Sequence, residues 1–163
     1  MEWVNDIADA GGAIYCFHLE ATCGCLSVFN TSAVINLLYT TADPLALIDA
    51  IHKRNMKAGV AISPDTPSTA ITDEVAAVAD MLTVMTVYPG TYPHSPSPAR
   101  FAYHRTAAGY GGQKFMERCV PKVAELRDRF PEMDIEVDGG VSPKNIEVCA
   151  HAGNPEPPSR HFP

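Results

Sequence analysis

The feature that most constrains the fold of this chain is a regular alternation of short apolar segments with longer, helix-like ones. Four apolar runs have the composition of buried strands: residues 13–19, 57–62, 81–87 and 133–137. Helical segments precede, separate and follow these runs. This order predicts an α/β fold with a parallel sheet built from βαβ units, because helices then cover the sheet and its strands are apolar on both faces.

Residues that begin or stop helices set the expected boundaries. Gly11-Gly12 ends a first helix, and Asp43-Pro44 begins a second one as N-cap and first helical residue. The remaining predicted helices run from about Thr69 to Val78, from about Lys114 to Arg129, and from Ser142-Pro143 to about His151. The predicted order is therefore α-β-α-β-α-β-α-β-α.

Two segments interrupt this order, residues 23–41 and residues 91–109, and we call them the first and second odd segments. Structureless loops of such length are uncommon in a compact domain. The end of the chain, residues 154–163, holds four prolines and is predicted to be an unfolded tail. We therefore expect one domain over residues 1–153, with two insertions and a disordered tail.

Charge and composition exclude some classes of function. The net charge of −7 argues against nucleic-acid binding, although backbone N–H groups can still bind a small phosphorylated substrate. The most apolar stretch, residues 25–39, is too short and too polar to span a membrane. The five cysteines are odd in number and scattered, which favours a reducing, cytoplasmic location.

Several linked motifs resemble those of one enzyme family. Residues 84–90 read VMTVYPG, and GGQKF follows at 111–115 once the second odd segment is removed. Residues 135–141 read IEVDGGV, residues 17–22 read FHLEAT, and residues 56–62 read MKAGVAI. Together and in this order they resemble the ribulose-phosphate 3-epimerase family.

The resemblance implies a partial (β/α)8 TIM barrel, about strands 4–7 with helices 3–7. It further implies interconversion of D-ribulose 5-phosphate and D-xylulose 5-phosphate by proton transfer at C3, in the pentose phosphate pathway. In the family, two aspartates act as acid and base, and they share a divalent metal (zinc, iron or manganese) with two histidines. The strand-seven aspartate matches Asp138, and the other ligands have no counterpart in this chain.

The resemblance assigns the candidate site residues, each of which also has a simpler interpretation. Asp138 is the expected catalytic and metal-binding residue, although Asp before Gly-Gly is also a common turn residue. The expected substrate- and phosphate-binding residues are Gly111, Gly112, Gln113, Gly139, Gly140 and Met85. The glycines could instead form tight turns, and Met85 could be a core residue. His18 is expected to be structural.

Activity of this chain is a separate question. One carboxylate cannot epimerise by a two-base route, so we expect impaired activity; the alternative is a non-catalytic fragment or interaction module. Four strands cannot close a barrel, so the isolated chain is expected to be poorly folded or a homo-oligomer. The odd segments are interpreted as retained non-coding sequence or as loops covering the active face. A third interpretation is a related barrel that acts on another sugar phosphate, such as an allulose 6-phosphate.

Overall fold

The structure is a computed structural model that describes residues 2–22, 43–88 and 113–154. Its helices are α1 (Glu2–Asp9), α2 (Pro44–His52), α3 (Asp73–Val78), α4 (Val120–Arg129) and α5 (Ile146–Gly153). Its strands are β1 (Ile14–His18), β2 (Lys57–Ile62), β3 (Met81–Met85) and β4 (Asp134–Asp138). The predicted alternation of helices and strands is confirmed.

The four strands form one parallel sheet in the order β1-β2-β3-β4. The register of the first pair runs from Ile14 opposite Lys57 to His18 opposite Ala61. Sequential strands are therefore neighbours, as expected when each connection is a helix that packs back on the sheet. The α/β class with a partial barrel-type sheet is confirmed.

The chain divides into two compact units, and the first comprises residues 1–62 and 69–82. Its core is formed by the buried faces of α2 and β2, where Ile48, Ile51 and Val60 are at most 1% exposed. The predicted start of α2 is confirmed, since the Asp43 carboxylate accepts a hydrogen bond from the Leu45 N–H at 3.2 Å. The first unit thus combines an apolar core with a helix whose start is fixed by a capping residue.

The second unit comprises residues 63–68 and 83–163. Helix α4 buries one stripe, formed by Val120, Val123 and Leu126. On its last turn, Arg127 donates hydrogen bonds to three backbone carbonyls, those of Pro131, Met133 and Gly153, at 2.6–2.8 Å. One guanidinium therefore joins the end of α4 to the segment before β4 and to the end of α5.

Three helix starts differ from the sequence prediction. Helix α3 begins at Asp73 rather than near Thr69, because the Thr72 hydroxyl caps it by accepting from the Val75 N–H at 3.3 Å. Helix α4 begins at Val120 rather than near Lys114, because Pro121 has no N–H to donate and suits only a first turn. Helix α5 begins at Ile146, and its N-cap is Asn145 rather than Ser142.

The odd segments 23–41 and 91–109 lie outside the described residues, as does the predicted tail from residue 155 onward. Their assignment as insertions and tail stays a prediction. Within the residues that the structure does describe, no helix has the length and apolar character that crossing a bilayer would require.

Candidate functional site

Asp138 is the last residue of β4, and its side chain is exposed. Its backbone is fixed by Thr86, which lies just beyond β3 and is fully buried. The Thr86 N–H donates to the Asp138 carbonyl at 2.7 Å, and the Thr86 hydroxyl lies 3.0 Å from the same oxygen. The structure therefore places this carboxylate at the C-terminal end of a parallel strand, the end where active sites of such barrels lie.

The two residues after Asp138 form a turn that only glycine fits. Gly139 and Gly140 have φ values of +114° and +66°. A Cβ on Gly139 would lie 2.4 Å from Cγ2 of Val87, and a Cβ on Gly140 would lie 2.8 Å from the Gln113 carbonyl oxygen. Both conformation and space exclude a side chain here, because Val87 and the backbone of Gln113 and Phe115 already occupy the space that a Cβ atom would need.

Gln113 is brought next to this turn, as the close approach of its carbonyl to Gly140 shows. Its side-chain amide donates to the Tyr88 carbonyl at 3.0 Å. The structure thus groups three of the predicted substrate-binding residues, Gln113, Gly139 and Gly140, beside Asp138. Gly111 and Gly112 lie outside the described residues, and their role stays a prediction.

Met85 ends β3 and is 7% exposed. Burial of this degree fits a core methionine and a pocket-lining one alike, so both interpretations stand. His18 ends β1 with its Nδ1 3.4 Å from a carboxylate oxygen of Glu20. Such a local pair fits the structural role that we expect for this histidine.

A cluster that the sequence analysis did not find lies in the same unit. The Tyr88 hydroxyl donates to the Asp65 carboxylate at 2.8 Å, and Arg118 donates to both Asp65 and the Tyr88 hydroxyl oxygen at 2.8 Å. The Arg118 hydrogen bond lowers the pKa of Asp65 despite some burial, and the bond to Asp65 raises the pKa of Tyr88. These partners are far apart in sequence, so no local pattern could have revealed them.

Beside this cluster, the Lys122 ammonium donates to the carbonyls of Ser63 and Pro64 at 3.0 and 2.7 Å. These two residues directly follow β2 in sequence, and Asp65 follows them. A helix residue and a charged cluster therefore both hold the loop after β2, within the second unit.

The described residues do not form a complete metal site. No group of three or more His, Cys, Asp or Glu side chains among residues 2–22, 43–88 and 113–154 could hold an ion. The Asp138 carboxylate is a suitable oxygen ligand, but a single carboxylate does not hold a catalytic metal. Among the residues that the structure describes, Asp138 is therefore a candidate ligand without a complete set of partners.

Comparisons with known proteins agree with the geometry. The model of the ribulose-phosphate 3 epimerase family matches residues 1–95 and 105–155, which include β4 and the glycine turn. The chain is 38% identical over 152 residues to a ribulose-phosphate 3-epimerase of Candida glabrata and 33% identical over 151 residues to that of Schizosaccharomyces pombe. It is 32% identical over 154 residues to a cytoplasmic isoform from rice, Oryza sativa subsp. japonica.

Each of these three alignments covers 93% of this chain but only 46%, 49% and 51% of the respective relative. The chain therefore spans about half the length of the curated relatives it matches. The unmatched residues 96–104 lie within the second odd segment, whereas the first odd segment lies within the matched range.

Proposed function

This chain belongs to the ribulose-phosphate 3-epimerase family. We propose that it takes part in catalysing the interconversion of D-ribulose 5-phosphate and D-xylulose 5-phosphate. The single observation that carries this proposal is the position of Asp138. Its carboxylate is exposed at the C-terminal end of β4 and is followed directly by a turn that admits only glycine.

The chemistry that we assign to Asp138 is proton transfer at C3 of the sugar. As a carboxylate it removes the C3 proton and leaves an ene-diolate; as the acid it returns the proton on the same face. Inversion at C3 needs a second acid/base on the opposite face, since one group reaches one face only. Asp138 therefore supplies half of the acid/base chemistry of an epimerase.

A divalent metal fits this chemistry because it would stabilise the ene-diolate oxygens. Asp138 would be one ligand, and zinc, iron or manganese are the ions that we propose. Since no three His, Cys, Asp or Glu side chains cluster around an ion position among the described residues, further ligands would have to come from outside them. The role proposed for this chain is limited to binding, orientation and proton transfer by its own residues.

The glycine turn is the proposed site for the phosphate of the substrate. Backbone N–H groups bind phosphate well where no side chain blocks the approach, and the net charge of −7 does not prevent this. Gln113 lies against the turn and closes one side of it. Met85, at the end of β3, is proposed to contact the sugar, and Gly111 and Gly112 are proposed to join the phosphate site.

An assay of xylulose 5-phosphate formation with added divalent metal tests the proposal, and Asp138→Asn is the decisive variant. We expect Asp138→Asn to lose at least about a hundredfold of the rate, the scale of general acid–base catalysis. Asp134→Asn is the matched control, because Asp134 is an exposed carboxylate at the other end of the same strand. Equal and measurable rates for the two variants would contradict the assignment of Asp138.

A second candidate is a non-catalytic module that pairs through its sheet edges. The outer strands favour it, since β1 and β4 have one neighbour each in the described sheet and Ile14 of β1 is 48% exposed. Analytical sedimentation of the chain, combined with the assay of xylulose 5-phosphate formation, distinguishes the module from the epimerase. An inactive chain in a defined oligomer supports the module, and an active chain supports the epimerase.

We propose a cytoplasmic location. The comparison with a relative named as a cytoplasmic isoform supports it, as do the odd number of cysteines and the burial of Cys119 and Cys149. Burial raises the pKa of both thiols, which keeps them protonated and weakly reactive.

A further inference from the structure

We propose that Tyr88 is a positioning residue for the phosphate site, and that Asp65 and Arg118 hold it in place. The inference rests on the phosphate site proposed at the Gly139-Gly140 turn. It adds a cluster to that site which touches neither the phosphate nor the reacting carbon.

The hydroxyl end of Tyr88 is fixed on two sides. It lies 2.8 and 3.1 Å from the two carboxylate oxygens of Asp65, and it accepts from Arg118 at 2.8 Å. Arg118 closes the triangle by donating to Asp65 at 2.8 Å, and its guanidinium carbon is 5.9 Å from the centre of the tyrosine ring. Donor, acceptor and ring face are all engaged, so the ring has one preferred orientation.

The backbone end of Tyr88 leads to the glycine turn. Its carbonyl accepts from the Gln113 side-chain amide at 3.0 Å. The Gln113 carbonyl lies against Gly140, at 2.8 Å from the position that a Cβ on Gly140 would occupy. A displacement of Tyr88 therefore moves Gln113, and a displacement of Gln113 moves one wall of the turn.

The exposure of the cluster indicates that it contributes more to the orientation of Tyr88 than to the free energy of unfolding. The side chains of Asp65 and Arg118 are 65% and 54% exposed, and ion pairs between exposed groups add little to stability. A bias of a few-fold toward one Tyr88 rotamer is directly visible in ligand affinity, whereas it is small against the uncertainty of an unfolding free energy. The cluster is thus expected to alter ligand affinity more than the unfolding equilibrium.

The test is a titration of the isotopically labelled chain with inorganic phosphate, followed at the amide signals of Gly139 and Gly140. Tyr88→Phe keeps the ring and removes only the hydroxyl, and Asp65→Ala removes the hydroxyl's main partner. Asp49→Ala is the control, since Asp49 is 60% exposed and forms an ion pair with Lys53 in the other unit.

We expect both cluster variants to bind phosphate roughly threefold to tenfold more weakly, the range that loss of one net hydrogen bond produces. Their unfolding midpoints should match the parent's, and Asp65→Glu should recover part of the affinity. The Gln113 side-chain amide signals should shift in Tyr88→Phe without phosphate present. The control should leave affinity and Gln113 signals unchanged.

Two failures are distinguishable. If the parent responds to phosphate at the glycine turn and Tyr88→Phe responds with the same affinity, the positioning role is wrong and the phosphate site stands. If the parent shows no response at the turn, the phosphate site is wrong and the positioning role falls with it. A cluster variant that binds more weakly only because its unfolding midpoint falls also overturns the inference.

Discussion

The inner and outer strands of the sheet differ sharply in burial. In β2, every residue from Ala58 to Ile62 is buried, and in β3 every residue from Leu82 to Met85 is buried. In β4, exposed and half-buried residues alternate, and three carboxylates, those of Asp134, Glu136 and Asp138, occupy the exposed positions. Strand β1 buries only Phe17.

This difference separates two roles within one sheet. The inner strands supply the apolar area that drives folding, since both of their faces are removed from water. Among the described residues, the outer strand β4 exposes its carboxylates, so an ionised group there loses less hydration than it would in an inner strand. The candidate acid/base therefore lies on the strand where a charged carboxylate costs least, and the buried strand beside it supplies the rigid support.

The largest expected effect compares the two kinds of strand directly. Ile62 ends β2 and is 0% exposed, whereas Ile14 begins β1 and is 48% exposed. We expect Ile62→Ala to lower the free energy of unfolding by about 2–5 kcal/mol because it leaves a cavity, and Ile14→Ala by under about 1 kcal/mol. Urea unfolding followed by circular dichroism measures both, and equal losses would remove the distinction between inner and outer strands.

A somewhat smaller effect is expected at the turn after β4. Gly139→Ala combines an unfavourable φ of +114° with a Cβ only 2.4 Å from Val87, so we expect a loss of about 2–4 kcal/mol. Gly11→Ala is the control, because Gly11 has a φ of +86° with nothing within 4 Å of its Cβ position. Its loss should be about 1 kcal/mol from the backbone alone.

Thermal unfolding of the two glycine variants measures this difference. A Gly139→Ala variant that is no less stable than Gly11→Ala would show that the turn is looser than the structure has it. It would also remove the steric reason for glycine at the position that follows Asp138.

The link between β3 and β4 gives the next effect. Thr86→Val removes a buried hydroxyl that lies 2.5 Å from the Gly139 carbonyl and 3.0 Å from the Asp138 carbonyl. We expect a loss of about 1–2 kcal/mol and faster amide hydrogen exchange in the glycine turn.

Thr83→Val is the matched change within β3, the strand that directly precedes Thr86. Its hydroxyl donates to the exposed Glu136 side chain at 2.9 Å, a partner that can turn to water instead. Hydrogen exchange in the turn should stay as in the parent. An increase of the same size in both variants would argue that β3 as a whole, rather than Thr86, supports the site.

The smallest effect concerns acid stability at the start of the inner strands. Burial alone would raise the pKa of Asp80. The hydrogen bonds of its carboxylate with the Ala58 N–H at 2.7 Å and with His52 at 2.8 Å outweigh burial, so the pKa is lowered. A carboxyl whose folded pKa is lowered stabilises the fold above its unfolded pKa, and this stability is lost as the pH falls through the folded pKa.

Asp80→Asn should therefore reduce the loss of stability that occurs when the pH falls below the unfolded-state pKa of an aspartate, about 3.9. The effect should be under roughly 1 kcal/mol because the carboxyl is partly exposed. Unfolding midpoints measured from pH 6 to pH 2 test this. Asp49→Asn, which alters an exposed pair four residues apart, should leave the acid profile as it is.

Local sequence patterns predicted the elements well but their starts less well. Apolar runs and capping residues located all four strands and the start of α2, because these depend on neighbours in the chain. The starts of α3 and α4 were wrong because Thr72 and Pro121 override helical periodicity over the preceding residues.

The candidate site was predictable only where a motif carried it. Asp138 and the glycines stood in a recognisable order, so their grouping could be expected. The support from Thr86 and the Asp65–Tyr88–Arg118 cluster could not, because each depends on contacts between residues 23 to 53 positions apart. Polar contacts at that separation leave no period or spacing in the sequence.

The role of Asp138 as acid and base is tested most directly by exchange of the C3 proton of D-ribulose 5-phosphate in D₂O, with divalent metal added and followed by proton NMR. Exchange needs a base on one face only, so it reports on Asp138 even where inversion fails. We expect loss of the C3 proton signal with the parent and with Asp134→Asn, and no loss with Asp138→Asn. Exchange that continues unchanged in Asp138→Asn, or that never occurs in the parent, would contradict this role.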